Sequence, residues 1–108
     1  MNYGVNHIGH FYLTYLLWDK INQASNWKIV NVSSSAHTAL LPCLSEPSID
    51  LDDINFEHNY EQFLAYSRSK IYNILFTRAL TDRVNAGKGK IFSLHPGLVR
   101  TNILRYLK

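Results

Sequence analysis

What this sequence lacks sets its first limits. Among 108 residues there is one cysteine, Cys43. It can form neither an internal disulfide nor a cysteine-based zinc site, and it fits a reducing compartment without specifying one. No basic N-terminal region leads into an apolar run, so no secretory leader is read. The uninterrupted apolar runs are far too short to span a bilayer, so no membrane segment is expected in these residues. Charge of one sign is also scarce. The formal net charge is +3, with light clusters at Lys88 and Lys90 and at Arg100, Arg105 and Lys108. Scattered cations of this kind describe a solvated surface and give no reason to expect nucleic acid. Repeats and low-complexity tracts are absent. A hydrophobic fraction of 46% against 18% charged residues leaves one modest globular unit.

Periodicity supplies the elements. Val5, Ile8, Phe11, Tyr12, Tyr15, Leu16 and Ile21 recur at helical spacing, and Leu13 and Leu17 widen the stripe. They predict a helix over residues 2 to 24 that must be covered on more than one side. Lys28 to Ser33 alternates Ile and Val with polar residues and predicts a strand. No period holds from Ala36 to Asn59, where Pro42, Pro47, Asp50, Asp52 and Asp53 interrupt the chain; a link of that length is usually functional. A second helix is expected over 61 to 85, with Phe63, Leu64, Ile71, Ile74, Leu75, Leu80 and Val84 as its apolar face and Gly87 and Gly89 as its stop. Lys90 to Leu94 predicts a second strand, His95-Pro96-Gly97 a turn, and 101 to 107 a short helix. Strands alternating with long helices imply parallel strands joined by a crossover, an α/β fold.

The chemistry-bearing residues sit at the ends of these elements. Tyr66 and Lys70 are four residues apart, one turn along one face of the second helix. A free phenol, with a pKa of about 10, is a poor proton donor or acceptor at neutral pH. A neighbouring ammonium stabilises the phenolate and lowers that pKa, so the pair suits proton transfer. Taken alone it reads better as an amphipathic surface pair. Ser33-Ser34-Ser35 falls where the first strand ends, the edge at which open α/β sheets bind ligands. Alone it reads as turn chemistry. His95-Pro96-Gly97-Leu98-Val99-Arg100-Thr101 follows the second strand at the same edge, and Gly97 allows close approach of backbone to a flat ligand. Asn6 lies mid-helix, where asparagine is not favoured, and Asn31 lies mid-strand; both suit satisfied interior amides. Asn31-Val32-Ser33 matches a glycosylation acceptor but is discounted because it lies inside a predicted strand. His7 and His10 share a face at i and i+3 with no further ligands nearby, so packing or surface is expected and no metal.

Four segments then occur in order: Asn6-His7-Ile8-Gly9-His10-Phe11, Ile29-Val30-Asn31-Val32-Ser33-Ser34-Ser35-Ala36-His37, Ala65-Tyr66-Ser67-Arg68-Ser69-Lys70 and Leu94-His95-Pro96-Gly97-Leu98-Val99-Arg100-Thr101. Together they resemble the short-chain dehydrogenase/reductase superfamily. His7 to Phe11, Ser35-Ala36-His37 and Asn73 to Arg78 resemble its retinol dehydrogenase branch, and WW-domain oxidoreductases are similar too. The resemblance implies part of a Rossmann-type doubly wound parallel sheet, and hydride exchange between NAD or NADP and an alcohol or carbonyl such as retinol/retinal or another lipid-like molecule. It assigns Tyr66 as acid/base, Lys70 as its pKa-lowering partner and ribose ligand, Ser34 as the group orienting the substrate carbonyl, and Asn6 as the holder of a relay water. Pro96, Gly97, Val99 and Thr101 match the loop around the nicotinamide carboxamide. The resemblance also implies a homo-oligomer through the two long helices. The family's Gly-rich strand–turn–helix for the pyrophosphate has no counterpart in these residues. The expectation is that 1–108 is the middle and later part of a catalytic domain, with the compartment open. A non-catalytic product that acts by pairing with a full-length relative is the alternative.

Overall fold

The computed structural model describes residues 2–38, 49–58, 60–84 and 87–100. Expectations for Pro42, Cys43, Pro47, Thr101 and a helix over 101 to 107 lie outside them. In chain order the elements are a π-helical turn Gly4–Ile8, helix α1 Gly9–Gln23, strand β1 Trp27–Val32, a 3₁₀ turn Ser35–His37, helix α2 Gln62–Arg83 and strand β2 Gly89–Leu94. The two strands are parallel neighbours, paired from Trp27↔Gly89 to Val32↔Leu94. Helix α2 is the long element between them, and it packs on both strands, on the π turn and on the 3₁₀ turn. This is an α/β unit of the kind a Rossmann-type sheet is built from.

Local chemistry accounts for the ends of the elements. Glu61 starts α2: its two carboxylate oxygens accept from the backbone N–H groups of Phe63 and Leu64 at 2.9 and 2.7 Å. A carboxylate there satisfies two otherwise unpaired donors and complements the helix dipole. At the other end of α2 the Val84 N–H donates back to Leu80 and Thr81 carbonyls, and Gly87, at φ 133, turns the chain towards β2. The loop before α2 is tied to it by Arg68, which is 5% exposed. Its guanidinium donates to the Asp53 carbonyl at 3.2 Å and lies 4.1 Å from the centre of the Phe56 ring. That cation–π contact holds Phe56 at φ 55, an uncommon backbone state for a bulky residue.

The face that α2 buries is not the one its apolar period predicts. Phe63 and Leu75 are exposed, and Leu64, Ile71, Ile74, Leu80 and Val84 are only partly covered. The buried residues are Ala65, Ser67, Arg68, Ser69, Asn73 and Thr77. Small and amide side chains let the helix approach β1 closely, and hydrogen bonds offset the desolvation of Ser69, Asn73 and Thr77. Thr77 Oγ1 accepts from Asn31 Nδ2 at 2.9 Å and donates to the Asn73 carbonyl at 2.8 Å. Asn31 is thus a buried amide with a partner, as expected, and its buried place in β1 agrees with discounting the glycosylation match. The expected first helix is likewise divided. Its first turn and a half is π-helical, with the Gly9 N–H reaching Gly4 O, and the rest is regular.

Gly89 does more than stop a helix. Opposite Trp27 in the sheet register, it gives the buried indole its seat. A Cβ added at Gly89 would fall 2.1 Å from two indole carbons. Trp27 in turn meets the Trp18 ring edge-on at 5.7 Å, which ties α1 to the start of the sheet. Gly89→Ala is therefore expected to destabilise the fold by about 1–3 kcal/mol through overpacking. Urea unfolding followed by tryptophan fluorescence measures this; an unchanged midpoint would mean that the indole yields freely.

Candidate active site

The ends of β1 and β2 stand side by side. The Ser33 N–H continues the ladder by donating to the Leu94 carbonyl at 2.8 Å. The residues following each strand therefore emerge at one sheet edge. Ser33 is buried and its hydroxyl donates to the Lys70 carbonyl at 2.8 Å, which fixes the middle of α2 against that edge. Ser34 is extended and its Oγ accepts from the Ala36 N–H at 3.2 Å, opening the 3₁₀ turn. That is the turn chemistry read from the serine run, and it leaves the hydroxyl hydrogen for another acceptor. His37 Nδ1 closes the same turn on the Ser34 carbonyl. Ser35 bridges to the other loop: its N–H donates to His95 Nδ1 at 3.2 Å, and its Oγ lies 3.3 Å from His95 Nε2.

Tyr66 and Lys70 occupy one face of α2 above this edge. The Lys70 ammonium lies 5.5 Å from the centre of the Tyr66 ring and donates to the Val32 carbonyl, the last residue of β1, at 3.2 Å. Burial pushes the Lys70 pKa below its ordinary value, because removing water penalises the ammonium. Asn6 reaches the same helix from the π turn: its Nδ2 donates to Ser69 Oγ at 3.1 Å, and Ser69 Oγ donates to the Tyr66 carbonyl at 2.6 Å. Pro96, Gly97 and Val99 follow β2 on an exposed loop. Gly97 is at φ 80 with open space where a Cβ would stand, so its backbone is accessible. That conformation suits glycine and is strained for other residues. The fold thus brings Tyr66, Lys70 and Ser34 to one edge, sets the Pro96–Val99 loop beside it, and attaches Asn6 through Ser69. Thr101 lies outside the described residues.

One participant is absent from the sequence reading of the site. Asn73, 1% exposed, donates from Nδ2 to the carbonyls of Asn6 at 2.9 Å and Val32 at 3.2 Å. Its Oδ1 lies 3.1 Å from His7 Nδ1. The available signal was an asparagine at i+3 from Lys70 in a helix interior, where the amide is disfavoured unless it has partners. His7 sits in a cage of rings formed by Tyr3, Phe11, Tyr72 and Phe76. Burial there pushes its pKa below the ordinary histidine value, the Asn73 bond opposes this, and the nearby His10 charge adds to it. Packing or surface was expected for His7, and ring packing is what it does. Among the described residues no group of three or more His, Cys, Asp or Glu could hold a metal ion, and no helix is long and apolar enough to cross a membrane.

A parallel βαβ unit with Tyr-x-x-x-Lys on its helix, a serine after its first strand and Pro-Gly after its second is the arrangement of a short-chain dehydrogenase/reductase. No family model matches the chain, and no solved structure does. Curated proteins do. Human retinol dehydrogenase 14 is 42% identical over 107 residues, which cover 99% of this chain and 30% of that protein. Human retinol dehydrogenase 13 is 40% identical over 98% of this chain and 30% of its own length. Human retinol dehydrogenase 11 is 40% identical over 98% and 31%. Over nearly its whole length the chain is similar to retinol dehydrogenases of the short-chain dehydrogenase/reductase family. It spans about 30% of the length of the curated relatives it matches.

Proposed function

We propose that these residues carry the acid–base half of an NAD(P)-dependent oxidoreductase acting on an alcohol or carbonyl, with retinol/retinal or another lipid-like molecule as substrate. The observation that carries the reading is the anchoring of Lys70, with the Tyr66 ring 5.5 Å from its ammonium, at the sheet edge where Ser34 and the Pro96–Val99 loop emerge. In this reading the Tyr66 phenol exchanges a proton with the substrate oxygen, and Lys70 sets its positive charge beside the Tyr66 ring. Ser34 directs its remaining hydroxyl hydrogen at that same oxygen. Asn6, bonded to Ser69 one helical turn from Tyr66, serves proton return through a water.

The fit to the cofactor is one-sided. The exposed Gly97 backbone, with Pro96 and Val99 beside it, suits a carboxamide, and Lys70 suits a ribose hydroxyl. When bound, the nicotinamide would supply or accept the hydride. A direct test replaces the matching 107 residues of human retinol dehydrogenase 14 by this chain. NADH and NADPH oxidation is then followed with retinal and simple aldehydes. Turnover supports the reading; a folded, cofactor-binding and inactive chimaera refutes it in favour of a non-catalytic role.

The reading extends to self-association through the two long helices. Phe11, Tyr12, Tyr15 and Leu16 on α1 and Leu75 on α2 are exposed, and Tyr15 is 68% so. A groove of about 510 Å³ between the helices, lined by Phe11, Trp18, Leu75, Phe76 and Leu80 among others, is mostly apolar. Faces this apolar are usually covered by protein. Sedimentation at micromolar concentration should show a dimer or larger species, and Leu16→Glu should shift it towards monomer. A strictly monomeric wild-type chain would remove this part of the proposal.

A further inference from the structure

We propose that Asn73 is a positioning residue for the Tyr66–Lys70 pair: its buried amide, oriented by His7, holds the end of β1 and the π turn so that Lys70 shares the Val32 carbonyl instead of being captured by it. The inference rests on the function proposed above. An asparagine amide has two N–H donors and one acceptor oxygen. Here both donors meet backbone carbonyls, of Asn6 and Val32. Carbonyls accept only, so the network itself sets Nδ2 towards them and Oδ1 towards His7. His7 Nδ1 must then carry the hydrogen and donate it to Oδ1 at 3.1 Å. The bond survives in either charge state of His7, because Nδ1 is a donor in both.

The two carbonyls held by Asn73 are those the site depends on. Val32 O accepts from Asn73 Nδ2 and from Lys70 Nζ, both at 3.2 Å. Lys70 and Asn73 are i and i+3 on α2, so their side chains reach the same strand end side by side. Asn6 O, inside the π turn, accepts from Asn73 and also from His10 Nδ1 at 2.9 Å. The Asn6 side chain is thereby aimed at Ser69 and so at the Tyr66 turn. One amide thus holds both carbonyls. With it removed, Val32 O keeps only Lys70. The ammonium is drawn towards the carbonyl, and the Tyr66 phenolate loses part of its stabilisation.

The test uses NMR of the 108-residue chain and kinetics of the chimaera. In the wild-type chain, ¹⁵N shifts of His7 should report the Nδ1–H tautomer near neutral pH; an Nε2–H tautomer overturns the proposal. In Asn73→Ala the ¹⁵Nζ titration of Lys70 should move from its wild-type position; an unmoved titration overturns it. In the chimaera, Asn73→Ala should lower kcat on the order of tenfold to a hundredfold. Its alkaline-rising limb should also shift to higher pH by roughly one unit. A lower melting temperature with an unchanged pH profile would make Asn73 a structural residue only. Should Asn73→Ala not fold, His7→Phe keeps the ring packing and frees the amide to rotate. It should reproduce the shift in smaller measure, and a profile identical to wild type counts against the clamp. A chimaera without turnover refutes the proposed function, while the two NMR readouts still decide on the clamp.

Discussion

Tyr66→Phe is expected to abolish turnover in the chimaera while leaving cofactor binding largely intact. The substitution removes one oxygen. The ring that faces Lys70 at 5.5 Å remains, and the side-chain hydrogen bond that Tyr66 accepts from Ser69 goes to its backbone carbonyl. The packing of α2 on β1 runs through Ser33, Asn31, Asn73 and Thr77, none of which touches the phenol. Stability should therefore change little. The loss should fall on the proton-transfer step, where a general acid or base contributes roughly a hundred- to ten-thousand-fold. In kinetic terms kcat falls with kcat/KM while the cofactor Kd stays put, the pattern of a group used in the transition state. Stopped-flow absorbance of the reduced cofactor, with a separate fluorescence titration for binding, distinguishes the two. A Phe variant with wild-type rates would exclude Tyr66 as the acid/base.

The elements were legible because each has a period and a stop. Both strands, both helices and the parallel pairing follow from alternation in 28 to 33 and 90 to 94 and from helical spacing between them. What the period could not show is which face of α2 is inside. Apolar spacing marks Phe63, Ile71 and Leu75, but the described neighbours of the helix are the two strands, the π turn and the 3₁₀ turn, and they present polar groups to it. Against them Ser67, Ser69, Asn73 and Thr77 are buried. Burial of such residues depends on hydrogen bonds to partners some 40 to 70 positions away, as between Asn31 and Thr77 or Asn73 and Asn6. No local pattern carries that information. The same holds for Gly89, which reads in the sequence as a helix stop. In the structure it is the space that an indole on the neighbouring strand requires. At the candidate site, the family resemblance singled out Tyr66, Lys70, Ser34 and the Pro96–Val99 loop. It did not show the mode of their connection, through the Val32 carbonyl.

The 108 residues by themselves are expected to bind NADH and NADPH weakly or not at all. Micromolar affinity requires about 8 kcal/mol. The pyrophosphate, with two negative charges, is ordinarily held by amides at a glycine-rich helix N-terminus. Neither described α-helix offers such an end. α1 continues out of a π turn, and the first amides of α2 are already taken by the Glu61 carboxylate, whose charge would repel a phosphate. What remains is the nicotinamide end: the open Gly97 backbone, Lys70 and the Tyr66 hydroxyl. Net hydrogen bonds contribute roughly 0.5–1.5 kcal/mol each, somewhat more to charged groups. Three or four of them fall well short of the requirement once the cost of ordering a flexible dinucleotide is included. Nicotinamide mononucleotide, which keeps the matched end and drops the adenylate, should therefore bind this chain nearly as well as NADH does. Calorimetric titration of the soluble chain with NADH, NADPH and the mononucleotide measures this. Saturable micromolar binding of either dinucleotide would overturn the expectation and require an anion site formed by other residues of the chain.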